Sequence, residues 1–174
     1  MKINSFFFFA CLFILQSCEN QSLNLNNKGE DILVAKEIYF PDAKLTYHDT
    51  VYVPIYSDIY HKSVYEKFLL TATLSIRNTS LTDSIFINDV DYYDTDGKKV
   101  RGYLSDNSLL LRPMQSIDYV IEEEDQEGGS GANFIINWGA TTDQLKPIFQ
   151  GVMISTHGQQ GISFLTNGTS ISRK

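Results

Sequence analysis

The sequence predicts an all-β chain, an antiparallel β-sandwich of seven or eight strands, and three observations predict it. Apolar and polar residues alternate with period two over most of the chain beyond residue 48. Turn signals punctuate that alternation at short, regular intervals. No segment carries the 3.6-residue period of a long amphipathic helix.

The strands follow in order. In "LLTATLSIRNTS" Leu70, Ala72, Leu74 and Ile76 share one face, Thr71, Thr73, Ser75 and Arg77 the other, and "NTS" supplies turn chemistry. In "SIFINDVDYYDTDGKKV" Ile85 and Ile87 share a face, the alternation slips at Asn88–Asp89, and Val90 and Tyr92 resume it. A slip of that kind predicts a β-bulge. Asp96-Gly97 then signals a hairpin turn. "LLLRPMQSIDYVIEEED" reads as a short apolar run, a break at Pro113, and a strand through Ile117, Tyr119 and Ile121. In "ANFIINW" Ala132, Phe134, Ile136 and Trp138 line one face, which places Trp138 in the core. "GVMISTH" and "GISFLTNGTSI" complete the set, the second with a turn signal at Asn167-Gly168. "DILVAKEIYF" is read as a short helix, and "KSVYEKF" as no more than a turn or two of one.

The amino terminus gives an address. Lys2 precedes the apolar run Phe6–Leu15, which has the length of a signal-peptide core and is too short for a permanent span. The run ends in "LQSC", with Leu15 three residues before Cys18 and small Ser17 immediately before it. That pattern resembles the lipobox cleaved by lipoprotein signal peptidase, so residues 1–17 are expected to be removed and Cys18 lipidated. Cys11 lies inside the leader, leaving Cys18 as the one mature cysteine, with no partner for an internal disulfide. Each buried methylene of an acyl chain contributes about 0.8 kcal/mol, and two or more chains anchor stably in a bilayer.

Residues 18–31 read as the lipidated cysteine and a flexible tether spanning about 20 Å. Residues 32–174 read as a single domain. Cleavage leaves 157 residues with 13 basic side chains against 21 acidic ones, a net charge of −8. That balance, with no basic cluster, excludes nucleic acid as a partner. The bilayer is one expected partner, and an envelope protein or glycan the other.

The blocks "VYVPIYSDIY", "LTATLSIRNTS", "DYYDTDGK", "GGSGANFIINW" and "GQQGISF", in that order, resemble a family of bacterial exported proteins, domain of unknown function 3124. The resemblance implies an exported, often lipid-anchored single domain and carries no activity with it. Separately, "IRNTS … IFINDVDYYDTDGK … LLLRPMQS" is similar in cadence to immunoglobulin-like domains of secreted bacterial proteins, which bears on the fold alone.

The oddest stretch is "EEEDQEGGSGANFIINW", residues 122–138. Gly128, Gly129 and Gly131 suggest a phosphate cradle, but such loops open helices, and the acids before this one repel phosphate. A connection between strands is the simpler account. No cofactor is expected, and calcium is the one cation the acids suit. Asp125 with Glu127, or Asp91, Asp94 and Asp96 in "DVDYYDTDG", offer hard oxygen ligands without the spacing of a calcium loop. His48, His61 and His157 are scattered. Ser155, His157 and Ser163 lack a nucleophile elbow. Paired acids for glycoside hydrolysis leave no mark in sequence, because their separation is three-dimensional. Tyr93, out of register with Val90 and Tyr92, is expected at the surface as a ligand-stacking ring.

These readings describe a non-enzymatic, lipid-anchored protein of a bacterial envelope, periplasmic or outer-surface, with a binding role. The alternatives are a small envelope enzyme, marked by polar groups converging in a pocket, and an accessory subunit, marked by an uncharged apolar patch.

Overall fold

The structure is a computed structural model that describes residues 45–104, 108–157 and 159–173. The leader, Cys18, the tether and "DILVAKEIYF" lie outside the described residues. All described residues belong to the unit Leu33–Lys174.

Alternation becomes pairing from Tyr47 onward. The strands are β1 (Tyr47–Pro54), β2 (Asp58–His61), β3 (Ser63–Leu69), β4 (Thr71–Arg77), β5 (Ile85–Tyr93) and β6 (Lys99–Gly102). They continue as β7 (Leu109–Leu111), β8 (Ser116–Ile121), β9 (Asn133–Ala140), β10 (Ile148–His157), β11 (Gln160–Asn167) and β12 (Thr169–Arg173). The larger sheet runs β12-β1-β9-β5-β6, with β7 also on β5; the smaller runs β11-β10-β4-β8; β2 and β3 form a separate hairpin. Every pairing is antiparallel.

One core lies between the two sheets. Val53, Ile87, Tyr92, Phe134 and Ile136 of the larger sheet meet Ala72, Leu74, Ile76 and Met153 of the smaller, all fully buried. The faces are those the alternation predicts, and Trp138 is buried with them at 3% exposure. The slip at Asn88 is a register shift between Ile87 and Asp89. Gly97, at φ +78°, closes the β5–β6 hairpin in the left-handed region that glycine enters freely.

Among the described residues there are twelve strands where seven or eight were expected. The additional ones include β2, β6 and β7, which are four, four and three residues long. Period two does not register over so few positions. "KSVYEKF" is strand rather than helical turn: Lys62, at φ 58°, turns the chain, and β3 folds back on β2. The β4–β8 and β5–β9 pairings are those that strands B–E and C–F make in an immunoglobulin domain. The outer places are exchanged, because β1 rather than β10 lies beside β9.

Candidate functional site

The acid-and-glycine corner joins β8 to β9 and packs between two other connections. Its backbone turns at Glu122, whose carbonyl accepts from the Asp125 N–H at 3.0 Å. The Gly128 carbonyl accepts from both the N–H and the hydroxyl of Thr95, each at 3.0 Å. Thr95 Oγ1 in turn accepts from the Gly131 N–H at 2.9 Å. On the other side the Gly129 carbonyl accepts from the Ser57 N–H at 3.0 Å. The corner is therefore stitched to the β5–β6 turn and to the link between β1 and β2.

Close packing explains the glycines. A Cβ on Gly128 would fall on the Tyr92 hydroxyl and stand 2.7 Å from the ring carbon bearing it. Gly129 takes φ +73°, and its Cβ would lie 2.8 Å from Thr95 Oγ1. These residues let the main chain pass over Tyr92 and Thr95. The stretch is a tight corner.

Two acids of the corner, Asp125 and Glu127, share one cation. Arg101 of β6 reaches Asp125 Oδ2 at 2.7 Å and Glu127 Oε2 at 3.3 Å. Its guanidinium also sits 6.0 Å from the Tyr92 ring centre and 5.9 Å from that of Tyr103. Burial works against the Arg101 charge, but the hydrogen bond that Arg101 donates to Asp125 and the fields of Tyr103 and Asp125 outweigh it and hold the group protonated.

The other candidate cation ligands are placed separately. Asp91 pairs with Lys99 at 2.8 Å, and that hydrogen bond is the main cause of the raised Lys99 pKa. Asp94 Oδ1 accepts from the N–H groups of Asp96 and Lys98 at 3.0 and 2.8 Å, closing the hairpin turn in which Asp96 is exposed. A calcium ion at Asp125 and Glu127 has to displace Arg101, and one at Asp91 has to displace Lys99. Among the described residues no three His, Cys, Asp or Glu side chains group to hold a metal ion.

Tyr93 lies across from Asn133 of β9 and Lys99 of β6, half-buried on the sheet face opposite Tyr92. The histidines belong to three different strands, β1, β2 and β10, and His61 stacks on Phe68 at 3.9 Å.

Beneath the corner, Tyr92 and Ser57 share a buried hydrogen bond of 2.7 Å. Burial raises the Tyr92 pKa above its ordinary value of 10.0, against the opposing Ser57 bond. A phenol with a raised folded pKa contributes stability that is fully present below the unfolded value and is lost as pH rises through the folded one. Melting temperature is therefore expected to fall above pH 10, and less steeply in Tyr92→Phe than in the parent. Equal slopes between pH 9 and 11 would refute the assignment.

Sequence reasoning missed the outer face of the smaller sheet. Leu165 of β11 lies opposite Val152 of β10, Val152 opposite Thr73 of β4, and Thr73 opposite Val120 of β8. These four form one row across all four strands. Ile154, one position on along that face of β10, continues the apolar surface. Leu165, Ile154 and Val120 are 58%, 51% and 49% exposed. Only Arg77 and Asp118 among the outward positions of these strands are charged, and they are of opposite sign. The available signal was "GVMI", apolar on both faces of β10, which alternation alone leaves unassigned.

The architecture defines an all-β protein of two antiparallel sheets around one core. The chain belongs to the family described as protein of unknown function, DUF3124, which matches residues 48–171. No curated protein matches it. A crystal structure of Thermotoga maritima 1070 is similar at 14% identity, over 70% of this chain and 92% of that one, with a TM-score of 0.39.

Proposed function

We propose that this protein is a lipid-anchored lipoprotein of a bacterial cell envelope whose domain works by binding another protein, without catalysis. The uncharged row across the smaller sheet, apolar on β11, β10 and β8 and crossed by Thr73 on β4, carries the binding half of this reading. A water-facing sheet ordinarily alternates apolar inward with polar outward, and a continuous exposed apolar patch marks an interaction surface. The row occurs in a chain of net charge −7, where solubility is supplied elsewhere. The "LQSC" leader carries the anchoring half.

Each half has its own test. Cys18→Ser is expected to abolish labelling by radioactive palmitate and to move the protein from the membrane pellet to the soluble fraction. Labelling that survives the substitution counts against the anchor. A photo-crosslinking residue at position 165 is expected to give a discrete protein adduct in intact cells. The same group at position 137, on the outer face of the larger sheet, is expected to give none. Equal yields from the two positions would sink the binding role.

A further inference from the structure

We infer that the partner covering the smaller sheet is a second copy of this chain, packed sheet to sheet. This rests on the interaction role proposed above and names its partner.

Charge is the first argument. The chain carries −7, so two copies repel over most of their surface. The outer face of the smaller sheet is neutral, with Arg77 as its cation and Asp118 as its anion. Two copies meet there without net repulsion. A basic partner is drawn instead to acidic ground, such as Glu122, Glu123 and Glu124 beyond β8, all exposed.

Shape is the second. Antiparallel sheets stack face to face about 10 Å apart, their apolar side chains interleaving. The row Leu165–Val152–Thr73–Val120, with Ile154 beside it, has large side chains on β10, β11 and β8, and the shorter threonines Thr71 and Thr73 on β4. Branched side chains of one copy can settle over the threonine strand of the other. Such a contact is isologous, the usual form in homodimers.

Area sets the strength. Four strands of about seven residues give a footprint on the order of 450 Å², from spacings of about 4.8 Å between strands and 3.4 Å along them. That is smaller than the roughly 800 Å² per partner of a standard stable interface. The dimer is therefore reversible, and confinement to a membrane surface by Cys18 raises the effective concentration that favours it.

The test uses the full-length protein, extracted in detergent from the membrane that makes it. Copies bearing two different affinity tags are expected to co-purify, and the photo-adduct from position 165 is expected at twice the protomer mass. Val152→Lys combined with Leu165→Glu, which sets opposite charges across the β10–β11 pair, is expected to weaken association at least tenfold. Both positions are exposed, so the melting temperature should be unchanged, which separates lost pairing from lost folding. Failure to co-purify, with an adduct of some other mass, overturns self-pairing and leaves the interaction role standing. No adduct of any mass from position 165 overturns both.

Discussion

Gly128→Ala is expected to lower the melting temperature by roughly 10 °C, a loss of roughly 3 kcal/mol for a domain of this size. The added methyl has nowhere to go. Its carbon would fall on the Tyr92 hydroxyl and lie 2.8 Å from the Ala132 Cβ. Tyr92 cannot yield, since it is fully buried, packs 5.1 Å from the Phe134 ring and is hydrogen-bonded to Ser57. The corner cannot lift without breaking its bonds to Thr95 and Ser57. Tyr92→Phe removes the oxygen that clashes most, so the double variant should be less destabilised than the two single effects added together. Simple additivity in thermal melts would show that the corner relaxes around the methyl and that Gly128 answers to some other constraint.

Asn78→Asp is expected to cost roughly 3–5 kcal/mol near neutral pH, from an exchange of one amide nitrogen for oxygen. Asn78 is 3% exposed. Its Nδ2 stands 2.7 Å from the Asp83 carbonyl, 3.1 Å from that of Leu111 and 3.0 Å from that of Arg112. Its Oδ1 accepts from the Ser80 N–H at 3.0 Å. The amide thus ties the end of β4 to the end of β7, on opposite sheets. A carboxylate there faces three carbonyl oxygens with no hydrogen to offer. Protonation restores one donor, so the folded state raises the pKa of the new acid. The deficit is then smallest below the unfolded value and grows as pH rises through the folded one. Melting curves should show the gap to the parent narrowing between pH 7 and pH 4, whereas for Asn78→Ala it should stay constant. A gap for the aspartate variant that does not change with pH would remove Asn78 from its role as donor.

Both residues show where a linear reading stops. "NTS" reads as a turn, and it is one, but composition does not reveal that its asparagine reaches the end of β7 in the other sheet. The three glycines of the corner are conspicuous in sequence, and a cradle was one reading of them. What makes them necessary is the Tyr92 hydroxyl and the Thr95 side chain, contributed from more than thirty positions earlier. The candidate acids were legible as acids. Their partners were not: Arg101 stands 24 and 26 residues from Asp125 and Glu127 and meets them only because β6 folds back beside β5.

Alternation by itself determined the class of this protein, the inward faces of β4, β5 and β9, the bulge after Ile87 and the burial of Trp138. Those properties depend on the two-residue repeat of a strand and on local backbone preference, both carried by neighbouring residues. The tertiary structure decided which strands pair, how β1 comes to lie beside β9, which cations neutralise the acids, and which apolar residues remain outside. Each of those depends on contacts between residues far apart in the chain. Val152 and Met153 look alike in sequence, and only the stacking of one sheet on the other makes the first surface and the second core.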